Sequence, residues 1–343
     1  MGSSRIGAVE LRDLAEAAFR AHGVAAPQAR DAAQVLIRAE MMGIVTHGAA
    51  RIPEYTERIV AGGIDPAAAI AIGHPAPGLL RVDGADGLGP AILMQALRAA
   101  RPVAEELGLA AAFCRRSAHV GALAPYLLTA TEWGMIALVA TNASAMMAPA
   151  GGRAARLGNN PLGLGFPDPD GRVVLLDMAL STVSRSRLRQ AAAEGGEIPP
   201  DWAVDAAGRP TADPAAALAG LLGPAGGHKG AGLALAVDLL AGLWSGAAFL
   251  TRVPDSGDAR DRPRDLGQVV LLIDARRLLA ADEAAERMAA FRRIVEKTPP
   301  ADPSCPVRLP GDRAMARLRR AEAEGVDLPA PLLTRIIDLA TGR

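Results

Sequence analysis

The stretch Leu109-Ala-Ala-Ala-Phe-Cys-Arg115, followed by residues 121–133 and by Met135-Ile-Ala-Leu-Val-Ala-Thr141, decides the fold class. Its first and last parts are apolar runs of strand length, and the part between them has the length and pattern of a helix. Residues 173–178 and 268–274 repeat the strand pattern further along the chain. Strands that alternate with helices indicate a mixed α/β domain in which helices cover a sheet.

Helical patterns extend from this region toward both ends of the chain. Apolar spacing, with glycine or proline at the ends, predicts helices over residues 10–22, 27–42, 90–107, 181–193, 282–297, 312–324 and 329–340. The chain therefore divides into a helical N-terminal section (1–69), an α/β domain (70–298) and a C-terminal loop with helices (299–343). We expect the C-terminal section to pack back on the N-terminal one.

Three further stretches have a distinct character. The loop over 142–167 is too long for a connector and rich in glycine, which favours a binding role. The apolar stretch 231–250 carries Asp238 near its middle, so we interpret it as a helix in the fold or at a subunit contact rather than a membrane span. Residues 256–265 are dense in charge, which is typical of a mobile surface loop.

Composition excludes several classes of function. Lys and Arg total 37 and so do Asp and Glu, so no net charge attracts nucleic acid or an anionic membrane. Aromatic residues make up only 3% of the chain, which leaves few platforms for stacking exposed bases.

The N-terminus has no secretory signal, and two cysteines suit a reducing compartment. We therefore expect a cytoplasmic protein, and the histidine spacing indicates no metal site.

The stretch from Met42 to Tyr55 holds the candidate chemistry. It places Thr46, His47 and Arg51 close together in the sequence. An arginine can grip a carboxylate through two parallel hydrogen bonds, and a histidine can exchange a proton near neutral pH. A purely structural alternative is that the threonine caps a helix while the histidine and arginine are solvated.

The backbone of this stretch has two interpretations. In the first, Pro53 is the first residue of a helix that ends at Gly62-Gly63. In the second, Pro53 kinks a helix that begins with Thr46 as its N-cap. His47 and Arg51 stay close together in both.

Several motifs follow one another along the chain. The first are Thr46-His-Gly-Ala-Ala-Arg51-Ile-Pro-Glu-Tyr55 and Ala61-Gly-Gly63. They are followed by Arg116-Ser-Ala-His119-Val-Gly-Ala-Leu123, Ala148-Pro-Ala-Gly-Gly152, Leu157-Gly-Asn-Asn-Pro161, Leu176-Asp177-Met-Ala179, His228-Lys229-Gly230 and Val307-Arg-Leu-Pro-Gly311-Asp-Arg313. Taken together and in this order, they resemble the motifs of the type-2 malate/L-lactate dehydrogenase family. This group includes sulfolactate and ureidoglycolate dehydrogenases, diketogulonate reductase and cyclic imino-acid reductases.

The resemblance implies a non-Rossmann, L-sulfolactate dehydrogenase-like NAD(P)-binding fold, in which the α/β domain binds NADH or NADPH. It further implies a homodimer with its site near the subunit interface. His47 would be the proton donor or acceptor, with Thr46 as its orienting hydroxyl. The substrate-binding residues would be Arg51, Asn159, Arg185 and Ser186. The cofactor-binding residues would be His119, Val120, Gly121, Ala122, Leu123, Asp177, Met178, Ala179, Lys229, Arg308, Gly311 and Arg313.

Several positions depart from the family pattern. Thr46 replaces a serine, Asn159 stands where relatives have threonine, and Gln268 replaces a common histidine. Arg185-Ser186-Arg187 occupies a segment that in some relatives supplies an aspartate, and the added arginines favour a substrate with a second anionic group. Two hypotheses follow. One is an oxidoreductase acting on a small 2-oxo acid/2-hydroxy acid pair or a cyclic imino acid. The other is a non-catalytic relative that binds a ligand or cofactor.

Overall fold

The computed structural model describes residues 2–255 and 259–342. The strands are β1 (Ser3–Ile6), β2 (Ala71–Ala76), β3 (Leu79–Gly87), β4 (Leu109–Ser117), β5 (Met135–Thr141), β6 (Leu162–Pro167), β7 (Val173–Met178), β8 (Ala203–Val204), β9 (Leu221–Leu222), β10 (Leu266–Asp274) and β11 (Val326–Pro329). The helices are α1 (Ala8–Ala21), α2 (Ala26–Met41), α3 (Arg51–Ala61), α4 (Gly89–Leu107), α5 (Ala124–Glu132), α6 (Arg185–Glu194), α7 (Pro214–Ala219), α8 (His228–Val237), α9 (Ala281–Glu296), α10 (Asp312–Glu324) and α11 (Ala330–Thr341). The predicted mixed α/β class is confirmed.

A seven-stranded sheet in the order β2-β3-β4-β10-β5-β6-β7 forms the centre of the molecule. Its neighbouring strands run antiparallel except for the parallel pair β3 and β4. The predicted strand-helix-strand unit β4-α5-β5 is present, but β10 lies between its two strands. A strand from late in the chain therefore completes the sheet.

Helices cover both faces of this sheet. On one face, α2, α4 and α5 pack against strand residues such as Val82, Val139 and Leu272, all fully buried. On the other face, α6, α7 and α8 pack around Val269. Successive side chains of a strand point to opposite faces of the sheet, so apolar residues along each strand pack against helices on both faces.

A second core joins the two ends of the chain. Strand β1 pairs with β11, and α1 packs against α2, α3 and α11 around Phe19, Leu36 and Ile336. Arg5 and Asp327 form a two-pronged ion pair across β1 and β11, with nitrogen-oxygen distances of 3.0 and 2.7 Å. The two strands were not predicted, because four-residue strands formed by distant partners leave little local pattern.

The predicted loop over 142–167 is wrong at its end, because 162–167 form β6. The glycines that suggested a loop instead allow close packing against α5. A Cβ at Gly163 would meet Leu127 Cδ1 at 2.7 Å, and one at Gly165 would meet Thr131 Cγ2 at 3.1 Å. The loop between β5 and β6 therefore covers 142–161.

The stretch 231–250 does not form one continuous helix, which corrects the prediction. Helix α8 ends at Val237, and a π-helical turn follows over Asp238–Leu243. Asp238 is buried, and its carboxylate accepts hydrogen bonds from Asn160 Nδ2 at 3.0 Å and from the Leu250 amide at 3.0 Å. Among the described helices, none has the length and apolar character needed to cross a bilayer.

Candidate active site

The stretch that carries His47 is a tight connection between α2 and α3. Gly43 ends α2 with a φ of +77°, and a turn of 3-10 helix follows over Val45–His47. Helix α3 then begins at Arg51, two residues before Pro53, and ends at Ala61, followed by the capping residue Gly62 with a φ of +90°. Neither predicted start is therefore correct: Thr46 does not cap this helix, and Pro53 lies within its first turn.

Glu40, near the end of α2, holds this connection through a hydrogen bond. Its buried Oε2 accepts a hydrogen bond from the Ala49 amide at 2.8 Å. The packing is so close that a Cβ at Gly48 would meet the same oxygen at 2.3 Å. The glutamate therefore holds the residue before the N-cap of α3, while the Arg51 and Ile52 amides donate to the Gly48 and Ala49 carbonyl oxygens.

Two imidazoles face each other above this connection. The ring centroids of His47 and His119 are 5.5 Å apart, with the rings tilted by 33°. Thr46 Oγ1 lies 2.9 Å from His47 Nδ1. The Tyr55 hydroxyl oxygen lies 2.6 Å from His119 Nδ1, and the Gly121 amide donates to the same nitrogen at 3.3 Å. Because an amide can only donate, Nδ1 is an acceptor, and a neutral His119 carries its proton on Nε2.

Both imidazoles are held in the neutral form. Burial, with the positive charge of Arg51 as a second cause, lowers the pKa of His47 to about 4. Burial, followed by the charges of Arg51 and His47, lowers the pKa of His119 well below its ordinary value. At pH 7 the pair can therefore accept a proton, and a bound anion that offsets Arg51 raises the pKa of His47.

Arg51 is held beside His47 by the backbone and by a neighbouring carboxylate. Its Nε donates to the Thr46 carbonyl oxygen at 2.7 Å, and its guanidinium pairs with Glu54. The side chain is 24% exposed. Its charge acts on both histidines from a position behind the cavity wall, since Arg51 is not among the residues that line the cavity.

A cavity of about 330 Å³, the imidazole cavity, opens in front of the two rings. Its lining contains many of the predicted site residues, namely Thr46, His47, His119, Val120, Gly121, Ala122, Leu123, Asn159, Asp177 and Ala179. It also contains residues that were not predicted, namely Ile44, Thr141, Asn142, Ala143, Pro161, Ser184, Arg264 and Leu266. The fold thus brings together residues from the N-terminal section, from β5 and β7, and from the segment before β10.

A second cavity of about 560 Å³, the Arg308 cavity, adjoins the first. It contains the predicted residues Arg308, Gly311 and Arg313, and it shares Ile44 and Asp177 with the imidazole cavity. The shared Asp177 Oδ2 accepts hydrogen bonds from the Leu123 and Ala124 amides at 2.9 and 2.8 Å. Burial raises the pKa of this carboxyl although both amides stabilise its charge. The aspartate therefore holds the start of α5 at the junction of the cavities.

Five predicted site residues line neither cavity: Arg51, described above, and Arg185, Ser186, Lys229 and Met178. Arg185 is exposed and donates from Nη2 to the Leu218 carbonyl oxygen at 2.9 Å, and Ser186 is exposed next to it at the start of α6. Lys229 is exposed in the first turn of α8. Met178, at the end of β7, is partly buried and packs against the hydrophobic cluster that contains Val269.

Arg264 is the charged residue of the cavity lining that the sequence did not predict. The prediction placed it in a mobile surface loop over 256–265, of which 256–258 lie outside the described residues. The structure instead buries Arg264, which is 7% exposed, in the lining of the imidazole cavity. The many charges around it resemble those of a solvated loop, so no local signal reveals the burial.

The comparisons with known proteins agree with this architecture. A sequence model of the malate/L-lactate dehydrogenase family matches residues 6–337. The chain is also 34% identical to a (2R)-3-sulfolactate dehydrogenase (NADP(+)) from Chromohalobacter salexigens, with 99% of each chain covered. The chain belongs to the malate/L-lactate dehydrogenase family.

A second sequence relative and a solved structure extend the comparison. A Delta(1)-pyrroline-2-carboxylate/Delta(1)-piperideine-2-carboxylate reductase from Pseudomonas aeruginosa is 33% identical, with 96% of this chain and 97% of the relative covered. The solved sulfolactate dehydrogenase from Methanocaldococcus jannaschii superimposes with a TM-score of 0.91 at 27% identity, covering 99% and 97% of the two chains. These relatives are named as dehydrogenases and reductases, which favours an enzyme over the non-catalytic alternative.

Proposed function

We propose that this protein is a nicotinamide-dependent oxidoreductase for a small 2-oxo acid/2-hydroxy acid pair or a cyclic imino acid. The observation that carries the proposal is the pair of adjoining cavities. One is lined by the neutral imidazoles of His47 and His119, with the charge of Arg51 behind its wall. The other is lined by Arg308 and Arg313. Names of relatives that include a sulfolactate dehydrogenase (NADP(+)) and a pyrroline-2-carboxylate reductase support the same reaction class.

In this proposal, His47 moves the proton. Above its lowered pKa the ring is neutral and can take the hydroxyl proton of a 2-hydroxy acid, and in the reverse direction it returns that proton to the oxygen or nitrogen. Thr46 Oγ1, next to Nδ1, orients the ring. Arg51 anchors the substrate carboxylate and thereby aligns the reacting carbon, which requires its guanidinium to leave Glu54 and turn into the cavity. Asn159 lines the same cavity and contacts the substrate.

NADH or NADPH fits the two cavities. Guanidinium groups suit a pyrophosphate, and the apolar wall from Val120 to Leu123 suits a nicotinamide ring. When bound, the reduced ring supplies the hydride. The residues that would hold the cofactor are His119 to Leu123, Asp177 to Ala179, Lys229, Arg308, Gly311 and Arg313. Lys229 and Met178, like Arg185 and Ser186 for the substrate, lie outside the two linings, and their roles rest on the position of these residues in the family motifs.

We also propose the non-Rossmann, L-sulfolactate dehydrogenase-like form of cofactor binding for this mixed α/β fold. A sheet with one parallel strand pair and a sequence without Gly-x-Gly-x-x-Gly support it. The same proposal divides the chain at residues 69 and 298 into a helical section, the cofactor-binding domain and the C-terminal section. A cytoplasmic location belongs to the proposal and is supported by free thiols at Cys114 and Cys305.

The direct test is oxidation of NADH and NADPH in the presence of a panel of 2-oxo acids and cyclic imino acids. Turnover with at least one member of the panel is the expected result. Cofactor binding without turnover on any member would favour the non-catalytic alternative.

Replacing Arg51 with alanine tests the carboxylate anchor. We expect KM for the substrate to rise by about 10²-fold, because a charge-assisted carboxylate contact is lost, while kcat changes much less. Steady-state kinetics of Arg51→Ala would measure both values, with exposed Arg20→Ala on α1 as the control. An unchanged KM would remove Arg51 from the substrate site.

We propose a homodimer formed through the end of α8 and the turn after it. Leu233, Leu239, Leu240, Leu243 and Trp244 are exposed there, and the tryptophan is 73% exposed. Exposed apolar residues gathered on one segment mark a surface for association. We further propose that the active site lies near this interface.

Charge introduced into this surface is expected to separate the subunits. The double variant Leu240→Asp/Leu243→Asp should elute as a monomer in size-exclusion chromatography with light scattering, because aspartates oppose burial of the interface. Ile294→Asp on α9, where the isoleucine is 73% exposed, is the matched control and should leave the mass unchanged. An unaltered dimer in the double variant would place the interface elsewhere.

A further inference from the structure

A buried polar network lies behind one wall of the imidazole cavity. At its centre is Asn160, which is 0% exposed. Its side-chain Oδ1 accepts a hydrogen bond from the Ala143 amide at 2.9 Å. Its Nδ2 donates to the Ala234 carbonyl oxygen at 2.8 Å and to Asp238 Oδ2 at 3.0 Å. One side chain therefore joins both ends of the loop between β5 and β6 to α8 and to the π-helical turn that follows α8.

The backbone of Asn160 shows that its conformation depends on these contacts. Its φ is +29°, in a region that residues other than glycine rarely adopt. Such a residue keeps its conformation only where the surrounding structure determines it. Here the determining contacts are the three hydrogen bonds of the side chain. They fix the chain direction at the preceding residue, Asn159, which lines the cavity.

Asp238 is the second member of the network. It is 2% exposed and has no cationic partner among the residues that the structure describes. Its carboxylate accepts hydrogen bonds from Asn160 Nδ2 and from the Leu250 amide, each at 3.0 Å. Burial raises the pKa of this carboxyl, although both hydrogen bonds stabilise its charge. A buried carboxylate is costly unless its hydrogen bonds are complete, so Asp238 needs Asn160 as a partner.

This network holds one wall of the cavity in place. Asn160 bonds to one residue of that wall and is the chain neighbour of two more. Gly242 of the π-helical turn packs so closely that a Cβ would meet Asn142 Nδ2 at 2.8 Å and Asp238 Oδ1 at 3.0 Å. Asn160 and Asp238 do not line the cavity themselves. The residues that they hold, the loop wall, are Asn142, Ala143, Asn159 and Pro161.

We infer that Asn160 and Asp238 are positioning residues, which hold Asn159 and the rest of the loop wall in the arrangement that the substrate requires. This inference rests on the proposed function, in which Asn159 contacts the substrate. Both residues act through the loop wall, since neither reaches the cavity. Because the reacting groups must be closely aligned, a small shift of this wall lowers the rate even where the fold is kept.

Exchanging the two side chains tests the inference. In Asp238→Asn a single acceptor oxygen faces the donors of Asn160 and Leu250, so one hydrogen bond is lost. We expect kcat/KM for the best panel substrate to fall by about 10²-fold, while the affinity for the nicotinamide cofactor, measured by fluorescence, stays unchanged. The double variant Asp238→Asn/Asn160→Asp again places a donor opposite an acceptor and should recover about tenfold of the loss.

Two further variants separate positioning from folding. Asn160→Gly permits the positive φ but removes all three hydrogen bonds, so it should lose as much kcat/KM as Asp238→Asn. Asp282→Asn, at an exposed position on α9, is the matched control and should leave kcat/KM unchanged. Wild-type kcat/KM in Asn160→Gly, or no recovery in the double variant, would overturn the inference. A cofactor affinity that falls in proportion to kcat/KM would also overturn it, because a loosened fold would then explain both losses.

A binding measurement distinguishes this inference from the proposed function. Oxamate, an unreactive analogue of a 2-oxo acid, should raise the thermal midpoint of the wild type, and Asn160→Gly should lose this shift. If oxamate stabilises neither protein, or both equally, the inference is overturned. If oxamate gives the expected result but no panel substrate is turned over, the proposed function fails while the positioning of the loop wall stands. If Asn160→Gly does not fold, Asp238→Asn and the double variant provide the comparison.

Discussion

Replacing His47 with alanine is expected to lower kcat by about 10²–10⁴-fold, the contribution of a positioned proton donor or acceptor. The imidazole lies in the cavity lining, next to Thr46 and 5.5 Å from the ring of His119. Without it, the proton must pass to or from water in a partly closed cavity. The measurement is kcat for the panel substrate with the highest turnover, in both directions of the reaction.

The matched control for this variant is His74→Ala. His74 is exposed on β2, an edge strand of the central sheet, so its loss should leave kcat within a factor of two. A His47→Ala enzyme that works at a near wild-type rate would refute the role proposed for this ring.

The same histidine predicts the pH dependence of substrate oxidation. Burial lowers the pKa of His47 to about 4, so its basic form is present at all higher pH values. We expect kcat/KM for oxidation to show no loss near pH 6.5, where an ordinary histidine protonates, and to fall only as pH approaches 4. In His47→Ala this acidic limb should disappear from the residual activity.

Replacing Arg292 with alanine is expected to lower the free energy of unfolding by about 3–5 kcal/mol, because it leaves a buried carboxylate without its partner. Arg292 Nε donates to Asp168 Oδ2 at 2.6 Å, and the two side chains are 3% and 1% exposed. Nη2 also donates to the Val173 carbonyl oxygen at 3.2 Å, and Nη1 lies 3.6 Å from Asp312 Oδ1. This arginine therefore joins α9 to the turn between β6 and β7 and to α10.

Urea unfolding, followed by circular dichroism, would measure this change. The neighbouring Arg293 is exposed on the same helix, so Arg293→Ala should stay within about 0.5 kcal/mol of the wild type. The double variant Arg292→Met/Asp168→Leu should be more stable than Arg292→Ala, since it removes both charges. A loss below about 1 kcal/mol in Arg292→Ala would mean that water reaches Asp168 and that the pair is not buried in solution.

The predicted site residues lie near one another where they are close in sequence or belong to one recognisable motif. Thr46, His47 and Arg51 lie within one short connection, and residues 119–123 follow directly after β4. Residues of both segments line the imidazole cavity. Lys229 and Arg185 carry charges of the expected kind, but the packing of α6 and α8 leaves both outside the cavity linings.

The sequence by itself determined the main helices, the strands β4, β5, β7 and β10, and the family. Apolar periodicity, terminating glycines and motif order are properties of the sequence itself. They can be identified without knowing which residues contact one another in the fold. Only the tertiary structure decided that β10 lies between β4 and β5, that β1 pairs with β11, and that Arg264 is buried beside His119. Strand order and the burial of a charge depend on contacts between residues far apart in the chain. A charged segment before a strand has the same local pattern whether it meets solvent or a cavity.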